Sequence, residues 1–404
     1  MNILTPVYIL LANLFFVVLY SCKNKDIQKN EKEVCSACNV IELSDAASQE
    51  QTVKLSEIAD SITFLPLSNI KDIGEEKIII SDRYIYAGLK VFDWNGSYLF
   101  EVGTRGTGPG EEPFLHTIIS IDSLFYSMAD KLIKYDSRGK YMGKECSVLD
   151  IHPLGMGRAG NNIAFCTLDT LYFYSSDFFL KKVVRVVPDW PEKSEMMSYH
   201  KSLKFFTENM DSVLYYNYVN DTIYRVLNDD IQPRWVISLG NDKIPTKHIL
   251  GNESKRMGVG AKYFSNENLS DWDYLKETDN KIRVFSVFES ENYVFAYWFR
   301  MREFWQLRNM SPSVFQIAYY DKKLNTTKAV SGDGFIDDIS SLGTFYPLLG
   351  IHDNCMVNSF WPYELKEKVD LLRQNGDTVD AKLLNLVDKV KEEDNPILVL
   401  VHLK

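Results

Sequence analysis

From about residue 52 onward, short apolar and aromatic runs alternate with clusters of Asp, Asn, Gly and Ser. Runs of this length between turn residues predict strands. One unit recurs, a turn acid followed by an apolar-aromatic strand. It is read at Ser81-Asp82-Arg83-Tyr84-Ile85-Tyr86, Asp122-Ser123-Leu124-Phe125-Tyr126 and Asp169-Thr170-Leu171-Tyr172-Phe173. It returns at Asp211-Ser212-Val213-Leu214-Tyr215, Glu291-Asn292-Tyr293-Val294-Phe295 and Asp353-Asn354-Cys355-Met356-Val357. A second unit is a hairpin: Val91-Phe92-Asp93-Trp94-Asn95-Gly96-Ser97-Tyr98 and Lys134-Tyr135-Asp136-Ser137-Arg138-Gly139-Lys140-Tyr141 share aromatic, Asp, two residues, Gly, one residue, Tyr. A looser copy stands at Tyr319-Tyr320-Asp321-Lys322-Lys323-Leu324-Asn325. The two full copies each predict two strands joined by a tight turn, with glycine at positive φ.

The acids of the first unit fall about 40–50 residues apart through Asp211, the length of a four-stranded propeller blade. Six units therefore predict an all-β, six-bladed β-propeller over residues 52–404, with insertions in the two longer intervals that follow. One insertion is expected at 241–279, which contains Gly251, Gly258 and Gly260. Near the C-terminus the period changes. Leu365, Val369 and Leu372, then Leu383, Val387 and Val390, stand at i, i+4, i+7 and predict two amphipathic helices joined near Asn375-Gly376-Asp377. After Asn395-Pro396, the run Ile397-Leu398-Val399-Leu400-Val401 predicts a buried strand. A terminal strand that pairs into the blade from the other end of the chain would close the ring and remove its open edges.

The N-terminus has a different pattern. Ile3 to Tyr20 is almost wholly apolar and ends in Leu19-Tyr20-Ser21-Cys22, followed at once by a polar stretch. It resembles a bacterial lipoprotein signal peptide: Leu19, Ser21 and Cys22 match the lipobox, Tyr20 is bulkier than usual, and no Lys or Arg precedes the apolar run. The resemblance implies lipidation at Cys22, a signal peptide over 1–22 and an envelope location; an uncleaved membrane helix is the alternative. Residues 23–51 have few large apolar residues and read as a flexible tether.

Composition narrows the function classes. Aromatics make up 13% of the 404 residues, which favours strands. The net charge is -10 without a dense basic tract, so nucleic acid is not an expected partner. Cys35-Ser36-Ala37-Cys38 lacks a second pair at ligand spacing, so it predicts a local disulfide or two thiols and not a zinc site. His116, His152, His200, His248, His352 and His402 form no zinc-hydrolase motif, and Gly-x-Ser-x-Gly is absent. No cofactor and no catalytic residue is called by any motif.

Three further features bear on binding. Gly103-Thr104-Arg105-Gly106-Thr107-Gly108-Pro109-Gly110-Glu111 has no Lys after its glycines and two prolines, Pro109 and Pro113, where a helix would have to start. It therefore departs from phosphate-binding loops and reads as a tight crossing that needs positive φ at one of Gly106, Gly108 and Gly110. If it were instead a site, its flanking Arg105 and Glu111 would contact the ligand. Tyr297-Trp298-Phe299-Arg300-Met301-Arg302 is either a ligand surface through Trp298, Arg300 and Arg302 or a buried strand. Asp-Ser/Thr-apolar triplets at Asp60, Asp122, Asp169, Asp211, Asp221 and Asp377 resemble O-glycosylation sequons of Bacteroidetes, although turn-to-strand transitions select the same residues.

The glycine loop, the Phe92-Asp93 hairpin with Gly96, the lipobox and Asp394-Asn395-Pro396-Ile397-Leu398 together resemble the six-bladed β-propeller lipoproteins of Bacteroidetes, relatives of NHL-repeat propellers. That resemblance spans roughly 52–404 and implies a fold and an outer-membrane or other envelope location, not an activity. The expected function is a non-catalytic binding or assembly module for a glycan, peptide or envelope protein. The alternative is a hydrolase or lyase with a metal or acid-base site at the channel mouth. Three or more converging His, Asp or Glu side chains there would favour the enzyme, and an apolar or Arg/Trp rim would favour binding.

Overall fold

The computed structural model describes residues 39–404 apart from 71–72, 75, 114–116, 130, 149–150, 152, 168, 188–204, 210–211, 218, 246–276, 279, 302–314 and 333. Six four-stranded antiparallel sheets form a β-propeller. The first five blades span Ile78–Glu101, Thr117–Ser147, Gly155–Arg185, Phe206–Ser238 and Ile282–Val330, each running from its innermost to its outermost strand. The sixth takes Gly350–His352, Cys355–Phe360 and Ile397–Leu403 from the C-terminal end of the chain and Ala59–Pro66 from the N-terminal end. Ile397–Leu403 lies between Cys355–Phe360 and Ala59–Pro66 and pairs with both. The expected ring closure is therefore present, and the last strand is interior to its sheet.

The hairpin repeat has a common hydrogen-bond plan. Asp93 and Asp136 each accept two backbone N–H groups on Oδ1, from Asn95 and Ser97 and from Arg138 and Lys140. Gly96 and Gly139 then turn at φ +78 and +77. In the third blade Ser175 Oγ accepts from Asp177 and Phe179 instead, and Phe178 takes the positive φ. A hydroxyl in place of the acid and phenylalanine in place of glycine hid this copy.

The turn-acid repeat is in phase in five blades and shifted in one. Asp82, Asp122, Glu291 and Asp353 precede the second strand of their blades, and the strand that follows Asp211, itself outside the described residues, is also the second of its blade, whereas Asp169 precedes the third strand, Thr170–Ser175. The corresponding turn of that blade is Gly160-Asn161, which lacks an acid.

A second correction concerns residues 39–51 of the tether expected over 23–51; 23–38 lie outside the described residues. Asn39–Glu42 adds a parallel fifth strand to the outer edge of the fourth blade, with Ile41 opposite Ile237. Helix α1 (Leu43–Ala47) buries Leu43, Ala46 and Ala47, and Gln51 bridges to Val330 on the fifth blade. Four residues are too few to show a period in sequence, yet they cover an open edge. Helix α2 (Leu55–Ile58) leads into the shared sixth blade.

Aromatic packing fills the spaces between blades. Trp298, fully buried, packs with Trp235, Tyr320 and the N-terminal Ile41 and Leu43 between the fourth and fifth blades. At that seam the buried Glu289 is held by Arg234 through both oxygens, at 2.7 and 2.8 Å, and by Lys322 at 2.6 Å. The C-terminal helices α3 (Pro362–Asn375) and α4 (Ala381–Val387) form a satellite cluster through Leu365, Val369, Leu383 and Val387, packed on Ile397.

Candidate functional site

The innermost strands all run in one direction along the central channel, so their C-terminal ends meet at one mouth. Four polar side chains from four blades come together there. Asp82 sits in the first inner turn of blade one, Arg158 on Gly155–Ala159 of blade three, Glu208 on Phe206–Asn209 of blade four, and His352 ends Gly350–His352 of blade six.

The geometry is specific. Arg158 Nη2 donates to Asp82 Oδ2 at 2.9 Å, and the Asp82 backbone N–H donates to Glu208 Oε2 at 2.8 Å. Ser81 Oγ organises the turn, accepting the Tyr84 N–H at 3.0 Å. Trp94, from the Asp93 hairpin, donates its indole N–H to the Ser81 carbonyl at 3.2 Å. Its ring stacks on His352 with centroids 3.4 Å apart and planes within 5°. His352 Nε2 is 3.3 Å from Asp353 Oδ2. Close approach of blades three and four depends on Gly157, because a Cβ there would meet the Phe206 ring at 2.5 Å. That contact brings Arg158 and Glu208 to the same mouth.

Burial sets the charge states. Glu208 is pushed up to about 7, first by burial and then by the Asp82 carboxylate, against the opposing Asp82 N–H and Arg158. His352 is lowered below its ordinary value by burial, despite Asp353 and Asp82 nearby. Beneath them, burial raises the Tyr86 hydroxyl, which Ser81 and Ser120 flank. The mouth thus holds one compensated ion pair, a carboxyl group that titrates near neutrality and an imidazole biased toward its neutral form. Such an array offers donors and acceptors for a polar ligand, and a carboxyl beside a carboxylate is also able to move a proton. Among the described residues, no three His, Cys, Asp or Glu side chains are placed to hold a metal ion.

The residues expected from sequence do not assemble here. Arg105 grips both oxygens of Glu76 at 2.8 Å on the surface. Glu111 folds back and accepts the Gly108 N–H at 2.9 Å. The Gly110 N–H is bonded to Glu145 Oε2 at 3.2 Å and the Gly106 N–H to the Glu112 carbonyl at 3.2 Å. Three amides of the glycine loop are thus already taken by the protein's own acceptors, which leaves no anion cradle. Gly110 alone of the three glycines has positive φ, +73.

Full burial takes Trp298 out of reach of a ligand. Arg300 donates to the carbonyls of Asn280 and Ala47, at 2.9 and 3.2 Å, and lies 5.7 Å from the Trp298 ring. Both therefore serve the seam where the N-terminal segment docks. Arg302, Cys22, Cys35 and Cys38 lie outside the described residues. Cys146, Cys166 and Cys355 are not in disulfides.

Sequence reasoning missed the mouth because its polar residues come from separate blades far apart in the chain. Asp82 and Asp353 were visible only as turn acids and His352 only as an isolated histidine. Arg158 and Glu208 gave no signal.

The family model described as "Domain of unknown function (DUF4934)" matches residues 38–402. No curated protein matches the chain. Among solved structures, a Bacteroides fragilis protein described only as a candidate exported protein is similar, with TM-score 0.63 and 20% identity, covering 91% of this chain and 100% of its own. Streptogramin B lyase (TM-score 0.32, 15% identity, 68% and 88% covered) and BamB from Moraxella catarrhalis (0.31, 12%, 66% and 63%) are more distant. The first likeness shows the fold alone; the other two bear on nothing further.

Proposed function

The chain belongs to the DUF4934 family, a domain of unknown function, so its role has to be read from its own residues, and we propose that it is an exported, lipid-anchored propeller that binds a polar ligand at the channel mouth. The observation that carries the binding reading is the Arg158–Asp82 pair beside the stacked Trp94, which gives the mouth the Arg/Trp rim expected of a binding site. A glycan, a peptide or an envelope protein loop offers the hydroxyl or amide groups that such an array takes. Export and anchoring rest on the apolar Ile3–Tyr20 run ending at Cys22. Among the described residues no helix is long and apolar enough to cross a membrane.

Two measurements test this reading. The purified protein is screened against neutral oligosaccharides and peptides, together with the double variant Asp82→Asn/Arg158→Met, which removes the ion pair without leaving a lone charge. Loss of binding with unchanged melting supports the site, and unchanged binding removes it. For the anchor, Cys22→Ser should shift the protein from the membrane fraction or leave the precursor unprocessed. Unaltered fractionation with a lipid-free mature mass would defeat that part.

A second reading has its own observation. Three acidic or imidazole groups meet at the mouth, the arrangement expected of an enzyme, and Glu208 titrates near 7 beside Asp82. A hydrolase or lyase would use Glu208 as the acid and Asp82 as the base. Turnover of a bound probe that Glu208→Gln abolishes while binding persists would establish this reading over the first.

A further inference from the structure

The outer edges of the blades are not all treated alike. On the fourth blade Asn39–Glu42 adds a parallel strand to the outermost one and buries Ile41. Leu180–Arg185 is the outermost strand of the third blade, and among the described residues its one strand neighbour is Thr170–Ser175. The Val186 N–H donates to the Asp169 carbonyl at 2.7 Å, and Thr170 lies opposite Arg185. Alternation along an antiparallel ladder then turns the N–H and C=O of Val183 and Arg185 away from the sheet, where they form a template for a further strand.

The side chains of this edge are both apolar and cationic. Phe179 is 71% exposed, Leu180 53% and Val183 49%. Leu180 and Val183 stand opposite Tyr174 and Tyr172. They therefore share the face turned to blade two, where those tyrosines and Phe178 pack on Tyr126 and Leu132. The strand also carries Lys181, Lys182 and Arg185 and no acid, in a chain of net charge -10. Lys182 turns the other way, to Asp230 of blade four at 2.9 Å. Lys144 of blade two pairs with Asp177 at 3.2 Å and lies 5.7 Å from the Phe179 ring. Lysines alone serve to blunt an edge. Exposed phenylalanine, leucine and valine beside them do the opposite, because they favour whatever covers them.

We propose that this edge docks an extended, acid-rich segment of another protein, which adds a fifth strand to blade three as Asn39–Glu42 does to blade four. Main-chain bonds to Val183 and Arg185 hold the segment, its apolar residues cover Leu180 and Val183, and its carboxylates meet Lys181 and Arg185. A second copy of this chain does not fit, because edge-to-edge pairing sets Lys181, Lys182 and Arg185 against the same three cations. The edge lies on the outer rim and is independent of the channel mouth, so either site could fail without the other.

Two short peptides serve as probes of the full protein, one alternating valine with glutamate and one alternating valine with lysine. Fluorescence anisotropy should show saturable binding of the acidic peptide, about tenfold or more tighter than the basic one. Hydrogen exchange should slow in residues 180–185 when it binds. The double variant Lys181→Glu/Arg185→Glu should reverse the preference. Val183→Pro removes an outward N–H that a sheet edge can spare, so it should abolish binding while the protein stays folded. Equal affinity for the two peptides, saturable binding of neither, or a charge-reversed protein that still prefers the acidic one overturns the proposal. So does dimerisation through this edge, which would assign it to a second copy, or adsorption to phosphatidylglycerol vesicles by a protein that binds neither peptide, which would assign it to a lipid surface.

Discussion

Replacing Glu208 by Gln isolates the energetic consequence of placing a carboxyl next to Asp82. In the native protein burial and the Asp82 carboxylate raise Glu208 from 4.5 to about 7. The folded state therefore holds this proton more tightly than the unfolded chain does. Its contribution to stability is full below the unfolded value near 4.5, declines as pH rises toward 7, and is lost above that. At about 1.4 kcal/mol for each tenfold gain in proton affinity, the swing is about 3–4 kcal/mol. Gln keeps an acceptor for the Asp82 N–H and an N–H donor toward the Asp82 carboxylate, but it does not titrate. The difference in stability between variant and parent should thus be small at about pH 4.5. It should grow in favour of Glu208→Gln through about pH 7 and level off by about pH 8. Denaturant unfolding of both proteins at matched ionic strength measures this directly, and taking the difference cancels the titrating groups that do not interact with Glu208. A variant-minus-parent difference independent of pH would refute the argument, as would one that grows in the opposite direction.

Three further outcomes follow from the packing. Gly110→Ala should destabilise by more than the ~1–2 kcal/mol of a left-handed residue, because its Cβ would lie 2.3 Å from the Tyr141 ring, whereas Gly143→Ala, with positive φ and open space, should cost only the conformational term; equal melting of the two variants would contradict this. Deleting residues 396–404 removes a strand hydrogen-bonded on both sides, so the ring should open and cooperative unfolding be lost, and a truncation that melts like the whole chain would show closure to be dispensable. Trp298→Ala should cost about 3–5 kcal/mol as a buried large-to-small change, measured by denaturation, and a neutral result would mean that the seam around the N-terminal segment does not depend on it.

Much of the architecture was legible because it is written in local chemistry that repeats. A propeller blade is a meander of short strands, so its turns recur at a fixed period, and Asp93 with Gly96 and Asp136 with Gly139 show the turn plainly. The terminal strand was legible for a related reason: five consecutive apolar residues, Ile397–Val401, need burial on both faces, which an interior strand of a sheet provides. Where the local chemistry was substituted, the reading slipped. Ser175 and Phe178 make the same turn as Asp93 and Gly96 by other means, and Asp169 imitates a turn acid one strand out of phase.

What the sequence alone determined, then, was the blade repeat, its closure and the amphipathic C-terminal pair, all consequences of periodicity within a few dozen residues. The tertiary structure alone decided where the chemistry sits. Asp82, Arg158, Glu208 and His352 are separated by 50 or more residues at each step, and nothing local to any of them encodes the others. Circular closure brings the ends of their inner strands to one mouth, and burial there, not residue type, lifts Glu208 toward neutrality. The same rule works against exposed-looking residues: Trp298 and Arg300 have the composition of a binding surface, but the blade-four seam and the N-terminal strand cover them. Contact partners distant in sequence set burial, and burial decides whether a polar or aromatic side chain binds a ligand or holds the fold together.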